Sequence, residues 1–127
     1  MNHDHLAATH AVSAAIVVTT TPQVVALTPI PSICWMETLS ARITDIELGA
    51  TIISWGISRD ALGDFMVVPV TPVIIAVGTT TAATGSVNLQ PGLFYLTLPG
   101  AVAGTLFLVI SCNAGAVTLT PDLLCRT

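Results

Sequence analysis

The chain has 127 residues, 53% of them hydrophobic, and only 8% are charged, where roughly 25% is usual for a soluble domain. Its net charge is −4, with three arginines and no lysine. This balance excludes nucleic acid as a direct ligand, because binding phosphates requires clustered cations, and it argues against attraction to an anionic membrane surface. The length predicts one domain with a substantial core.

The scarcity of charge predicts that neighbouring molecules cover much of the surface. A free domain normally stays soluble through mixed surface charges and small apolar patches. Here eighteen threonines supply much of the polarity. Threonine suits a pleated strand and offers a hydroxyl without the desolvation cost of a charge. The composition is typical of a subunit in a packed assembly.

Residues 1–21 are predicted to form an extended N-terminal arm. They combine three histidines and small alanines with a Val-Val-Thr-Thr-Thr run that has no hairpin partner nearby in the sequence. Two interpretations stay open, a strand added to the sheet edge of an adjacent subunit and a disordered tail. A short helix is considered only between Ala7 and Ala15, and the lack of a basic n-region argues against a secretion signal.

Residues 22–127 are predicted to form an all-β domain, a two-sheet antiparallel sandwich with the topology of a jelly roll. Turn residues recur at short intervals, and about eight to ten short strands are expected from Val24 onward. Between Thr51 and Arg59, Ile53, Trp55 and Ile57 fall on one face. Ser54, Gly56 and Ser58 fall on the other, solvent-facing side, which predicts a half-buried strand. Further strands are predicted at Ser86–Gln90, at Phe94–Leu98, at Leu106–Ile110 and at Val117–Thr120.

The longest apolar stretch, Ala101–Val117, does not predict a membrane span. It contains Gly104, Asn113 and Gly115 and falls short of the roughly 20 apolar residues that a spanning helix needs. Two buried strands joined by an Asn-Ala-Gly turn explain the stretch better.

Two carboxylate pairs are candidate sites, and for each a structural role is the better interpretation. Asp60 and Asp64 flank a short loop, where calcium is possible in principle, but such aspartates more often accept hydrogen bonds from backbone amides in a turn. Asp45 and Glu47 would share one face of a strand, as the carboxylates of a glycosidase do, yet exposure to solvent or to Arg42 is the better interpretation. No histidine lies in the predicted sandwich to act as a general base.

The remaining candidates favour structural roles. His3, Asp4, His5 and His10 carry metal-ligand chemistry but lie at a chain terminus, where ligands are poorly held. Trp55 is predicted in the core, which leaves Trp35 and Tyr95 as too few rings for a sugar-binding platform. The cysteines, Cys34, Cys112 and Cys125, are odd in number and widely spaced, which predicts reduced, buried thiols. No catalytic, metal-binding or cofactor-binding residue is predicted.

The chain from Ile33 to Cys112 resembles small jelly-roll proteins of tailed bacteriophages, namely head-decorating cement proteins and related tail domains. Two segments carry the resemblance. One is Ile53–Asp60, a strand that runs into a short Asp/Gly loop. The other is Gly85–Leu98, in which a Pro-Gly turn separates a strand from an aromatic-rich strand.

The resemblance implies a non-enzymatic virion protein that binds the exterior of an assembled capsid. Its expected partners are further copies of itself, as a homotrimer, and the major capsid protein, with assembly in the host cytoplasm. No cofactor is implied. The alternative is a tail or fibre module that binds a receptor or glycan of the host.

Overall fold

The computed structural model describes residues 8–30, 33–75, 85–89, 94–97 and 104–126, and for 33–35, 85–89 and 94–97 it describes the backbone alone. Within these ranges the chain forms β-strands and no helix. The strands are β1 (Ala8–Val12), β2 (Ile16–Val18), β3 (Gln23–Leu27), β4 (Ile33–Ile46), β5 (Ile52–Ser58), β6 (Met66–Ile74), β7 (Gly85–Leu89), β8 (Phe94–Thr97), β9 (Leu106–Cys112) and β10 (Val117–Arg126).

The strands form two antiparallel sheets. In the first sheet β10 and β4 are central, β1 and β2 lie in succession along the outer edge of β10, and β7 and β8 lie along the outer edge of β4. The second sheet has the order β3-β9-β5-β6. The two sheets pack against each other, which confirms the predicted all-β antiparallel sandwich.

Residues 8–18, which the sequence placed in the N-terminal arm, lie within the first sheet of their own chain. β1 pairs with the second half of β10, from Ala8 opposite Arg126 to Val12 opposite Asp122, and β2 pairs with its first half. The stretch considered for a helix is therefore a strand from Ala8 to Val12. Ala11 and Val18 are fully buried, so these strands contribute to the core.

The core lies between the sheets and follows the two-residue period of the strands. Along β10, buried side chains alternate with half-buried ones from Val117 to Arg126. Ile53, Trp55 and Ile57 are buried, which confirms the predicted strand there. The largest fully buried side chains are Trp55, Leu27, Met36, Leu39, Ile53, Ile57, Leu106, Leu108, Ile110, Leu119, Leu123 and Val18.

The predicted Asn-Ala-Gly turn exists but does not close a hairpin. It connects β9 in the second sheet with β10 in the first, so the chain crosses the sandwich there. The strands on either side are buried, as predicted. Among the described residues no helix is long and apolar enough to cross a membrane.

The last strand extends beyond the predicted Val117–Thr120, and Pro121 lies inside it. Proline lacks the N–H that a central strand needs for pairing on both sides. At Pro121 the neighbouring edge is interrupted, since β2 ends its pairing with Ile16 at Leu119 and β1 begins with Val12 at Asp122. The missing donor therefore falls at a gap, and β10 continues to Arg126.

Candidate docking surface

The four strands of the second sheet contain no Asp, Glu, Lys, Arg or His. Charged residues that the structure describes lie on β4 and β10 of the first sheet or in loops. The sandwich is therefore asymmetric, with one sheet that carries charge on its outer side and one that carries none.

We call the outward side of the second sheet the uncharged face. Strand register assigns its residues, because partners opposite one another point to the same side. Its residues are Val24, Ala26, Ile52, Ser54, Gly56, Ser58, Met66, Pro72, Ile74, Phe107, Val109 and Ser111, with Val70 at its edge. Val24 is 37% exposed, Val70 49% and Ile74 71%.

The loop 59–65 folds back onto one end of the uncharged face. A Cβ atom on Gly63 would lie 3.2 Å from Val24 Cγ2 and 3.1 Å from Val109 Cγ2, so the loop backbone rests directly on these valines. Ser58, predicted on the solvent side, is completely buried as a result. The loop also presents Leu62 and Phe65, which are 78% and 61% exposed, so apolar surface continues onto it.

Hydrogen bonds within the loop 59–65 hold its shape. The Ser58 hydroxyl lies 3.1 Å from the Phe65 carbonyl, the Arg59 amide donates to that carbonyl at 2.8 Å, and the Asp64 amide donates to Asp60 Oδ1 at 2.9 Å. The amide of Asp64 and, less strongly, the Ser58 hydroxyl lower the pKa of Asp60. The Arg59 guanidinium lies 5.6 Å from the centre of the Phe65 ring, within cation–π range.

The outer side of the first sheet is polar and carries charges of both signs. The His10 ring nitrogen Nδ1 lies 2.9 Å from Asp122 Oδ1, and Arg126 Nε donates to Glu37 Oε2 at 2.5 Å. Both pairs are partly exposed, so each contributes little to stability. A shallow depression of about 300 Å³ lies on this side, lined by Val12, Ser40, Ala41, Arg42, Thr120, Pro121 and Asp122.

The structure describes both carboxylate pairs that the sequence offers as candidate sites. Asp60 accepts the Asp64 amide, which confirms the turn interpretation, and no group of three or more His, Cys, Asp or Glu among the described residues is placed to hold a metal. Asp45 is exposed on β4, whereas Glu47 is exposed in the loop beyond its end. His3, Asp4 and His5 lie outside the described residues.

The structure describes some of the aromatic and cysteine side chains for which the sequence makes predictions, but not all of them. Trp55 is fully buried, which confirms its place in the core. The thiols of Cys112 and Cys125 are buried and reduced, as predicted, and burial raises the pKa of Cys112. The side chains of Cys34, Trp35 and Tyr95 lie outside the described residues.

No protein-family model matches this sequence, and a search of the curated proteins finds no match either. Fold and surface therefore define the class of protein: an all-β sandwich in which one sheet is charged on its outer side and the other is not. Total composition gives the low charge of the chain but not its distribution. The order of residues does carry that signal, because the long stretch 65–121 contains no Asp, Glu, Lys, Arg or His.

Proposed function

We propose that this chain is a structural virion protein that binds the outer surface of an assembled phage capsid and cements neighbouring capsomers. The observation that carries the proposal is the uncharged face. A soluble domain that worked alone would gain from charges there, since they prevent association. Exposed Val70 and Ile74 on a sheet whose strands hold no Asp, Glu, Lys, Arg or His instead favour a surface that an assembly covers.

Strand order supports a jelly-roll topology for the sandwich. If β1 and β2 count as one interrupted strand, and β7 and β8 as another, eight strands remain. The first sheet then has the order first, eighth, third, sixth, and the second sheet has the order second, seventh, fourth, fifth. This order favours a jelly roll, an architecture used by viral capsid proteins as well as lectins and cupins. The fold is therefore compatible with a virion protein but does not distinguish one from the other proteins that use this architecture.

The proposed mechanism is mass action without a chemical step. A protein that binds the assembled shell, and not its separate subunits, stabilises the shell by its binding free energy. Repetition over many symmetric sites multiplies that effect, and an oligomer such as the trimer implied by the resemblance adds avidity. The proposed partners are other copies of the chain and the major capsid protein, on the exterior of the virion.

The experiment adds purified protein to undecorated shells assembled from the major capsid protein encoded with it. We expect saturable binding at a copy number that matches the shell symmetry, together with a higher temperature of shell disruption in calorimetry. Shells that are already saturated serve as the control and should take up no more protein. Binding that never saturates, or an unchanged disruption temperature, would contradict the proposal.

The alternative is a tail or fibre module that binds a host glycan. The observation that favours it is the depression on the outer side of the first sheet. Ser40, Arg42, Thr120 and Asp122 present hydroxyl, guanidinium and carboxylate groups of the kind that bind sugar hydroxyls. A glycan array tests this alternative. Binding that Arg42→Ala abolishes would favour it over the capsid role, and an array without signal would remove it.

A further inference from the structure

We infer that the uncharged face is where copies of this chain contact one another, so that in the oligomer each copy turns this face toward its neighbours around the symmetry axis. The inference deepens the proposed function, because it assigns a surface to the oligomer that would decorate the shell. It also rests on observations that hold for the isolated protein.

The first observation is electrostatic. An interface that buries a charge must provide a partner for it, since an unpaired buried charge is strongly destabilising. Two uncharged faces meet without that cost and without repulsion. The outer side of the first sheet lacks this property, because copies that met there would have to accommodate Arg42 and Asp122.

The second observation concerns area. Exposed apolar side chains on the uncharged face and the loop 59–65 are Val24, Leu62, Phe65, Val70 and Ile74, at 37, 78, 61, 49 and 71% exposure. At ~100 Å² for each fully exposed side chain, they present roughly 300 Å². A standard interface buries about 800 Å² on each partner, a little over half of it apolar. These residues therefore supply most of the apolar area that such an interface needs.

The third observation is that the outer strand of the second sheet is less suited to association than the uncharged face is. β6 is the outer strand of the second sheet in the described part of the chain, and it contains Pro69 and Pro72. Proline in an edge strand removes donors that a strand from another molecule would use. Copies that approach β6 are thus deterred from adding a strand, whereas side-chain packing on the uncharged face remains open to them.

The occupant follows from these three points. A partner recognised through its charges would need opposite charges on this face, and the face has none. A second copy of the chain is present wherever the protein is made and carries a surface of the same neutral character. The loop 59–65 that adjoins the face does carry charge, on Arg59, Asp60 and Asp64. There these residues can form the polar rim that surrounds an apolar interface centre.

The test measures the mass of the purified full chain by sedimentation equilibrium from about 1 to 100 μM. We expect an oligomer of two or three chains of 13.1 kDa each. Val70→Glu and Ile74→Glu should each raise the dissociation constant at least about tenfold, since either places a charge in the interface. Val17→Glu is the matched control, because Val17 is 56% exposed on β2 of the first sheet, and it should leave the constant unchanged.

Circular dichroism and thermal melting of each variant establish that it folds, which we expect because both face residues are about half exposed or more. A wild-type mass of one chain at 100 μM would overturn the inference. So would an oligomer that withstands both face substitutions, or one that Val17→Glu dissociates equally. A monomer that still binds shells would refute this inference alone, and an oligomer that ignores shells would refute the proposed function alone.

Discussion

The side-chain amide of Asn113 joins the two connections at one end of the sandwich. Its Oδ1 accepts the Thr51 amide at 2.9 Å and the Ile52 amide at 3.0 Å, and its Nδ2 donates to Thr51 Oγ1 at 3.1 Å. Asn113 follows β9, at the point where the chain leaves the second sheet for the first. One side chain therefore holds the crossing against the start of β5.

We expect Asn113→Ala to lower the free energy of unfolding by about 1–2 kcal/mol, because two backbone amides lose their acceptor and the site is open enough for water to replace part of it. Urea denaturation followed by tryptophan fluorescence measures the change. Asn113→Asp keeps the accepting oxygen and loses the donor, so it should cost less than the alanine variant. Equal stability of all three proteins would show that these bonds contribute nothing.

Single residues differ in how far the sequence identifies their role. The alternating pattern placed Trp55 in the core, and the tendency of aspartate to accept backbone amides in turns placed Asp60 correctly. Alternation alone put Ser58 toward solvent. It failed there because a loop, not water, lies over that residue, and a strand period carries no information about what covers the outer side.

At the level of the strand, Gly56 permits an irregularity between β5 and β6. The pairing shifts register between Trp55 and Ile57. A Cβ atom on Gly56 would lie 2.6 Å from the Val68 carbonyl oxygen and 2.8 Å from the Val70 amide nitrogen, both of them backbone atoms. Only glycine allows β6 to approach this closely.

Gly56→Ala should therefore destabilise the fold by roughly 1–3 kcal/mol, the usual cost of forcing extra atoms into a packed site. The midpoint of thermal unfolding measures it. Ser54→Ala, on the same strand and the same side of the sheet, is the control and should change stability by about 0.5 kcal/mol or less. A Gly56→Ala protein as stable as this control would mean that β6 moves away freely.

Prolines explain why the last predicted strand ends too early and why the sequence predicts turns, not a strand, at Pro69 and Pro72. Proline is most often a turn residue, yet Pro69, Pro72 and Pro121 all lie within strands. β6 tolerates its prolines because it is the outer strand of its sheet among the described residues, and β10 tolerates Pro121 because its neighbouring edge is interrupted there. Both conditions depend on strand neighbours distant in sequence, which local patterns do not reveal.

Across the whole molecule, the sandwich class was predictable and the strand pairing was not. Short alternating segments with frequent turns favour two packed sheets in almost any order. That β1 and β2 pair with β10, near the other end of the chain, depends on long-range contacts. The asymmetry between the sheets depends on the same pairing, because it decides which uncharged segments come together.

An oligomer formed through the outer side of one sheet should respond to salt differently from an oligomer formed through the outer side of the other. If copies meet through the uncharged face, raising NaCl from about 0.05 to 0.5 M should change the dissociation constant only slightly, because the centre of the interface holds no charge pair to be screened and the rim charges of the loop 59–65 are exposed and contribute little. Sedimentation at both concentrations measures this. Weakening by tenfold or more would instead point to the first sheet, where Glu37, Arg42, Asp122 and Arg126 lie.

Ala8 lies directly opposite Arg126 in the first sheet, so the two ends of the described sandwich meet at the same corner. A short peptide linker between these residues would close the backbone into a ring, which could be reopened at the exposed connection 20–22 to give a circular permutant. The same geometry makes the domain suitable as an insert: spliced into a surface loop of a carrier protein, it would hold the flanking residues close together, as the uninterrupted loop did.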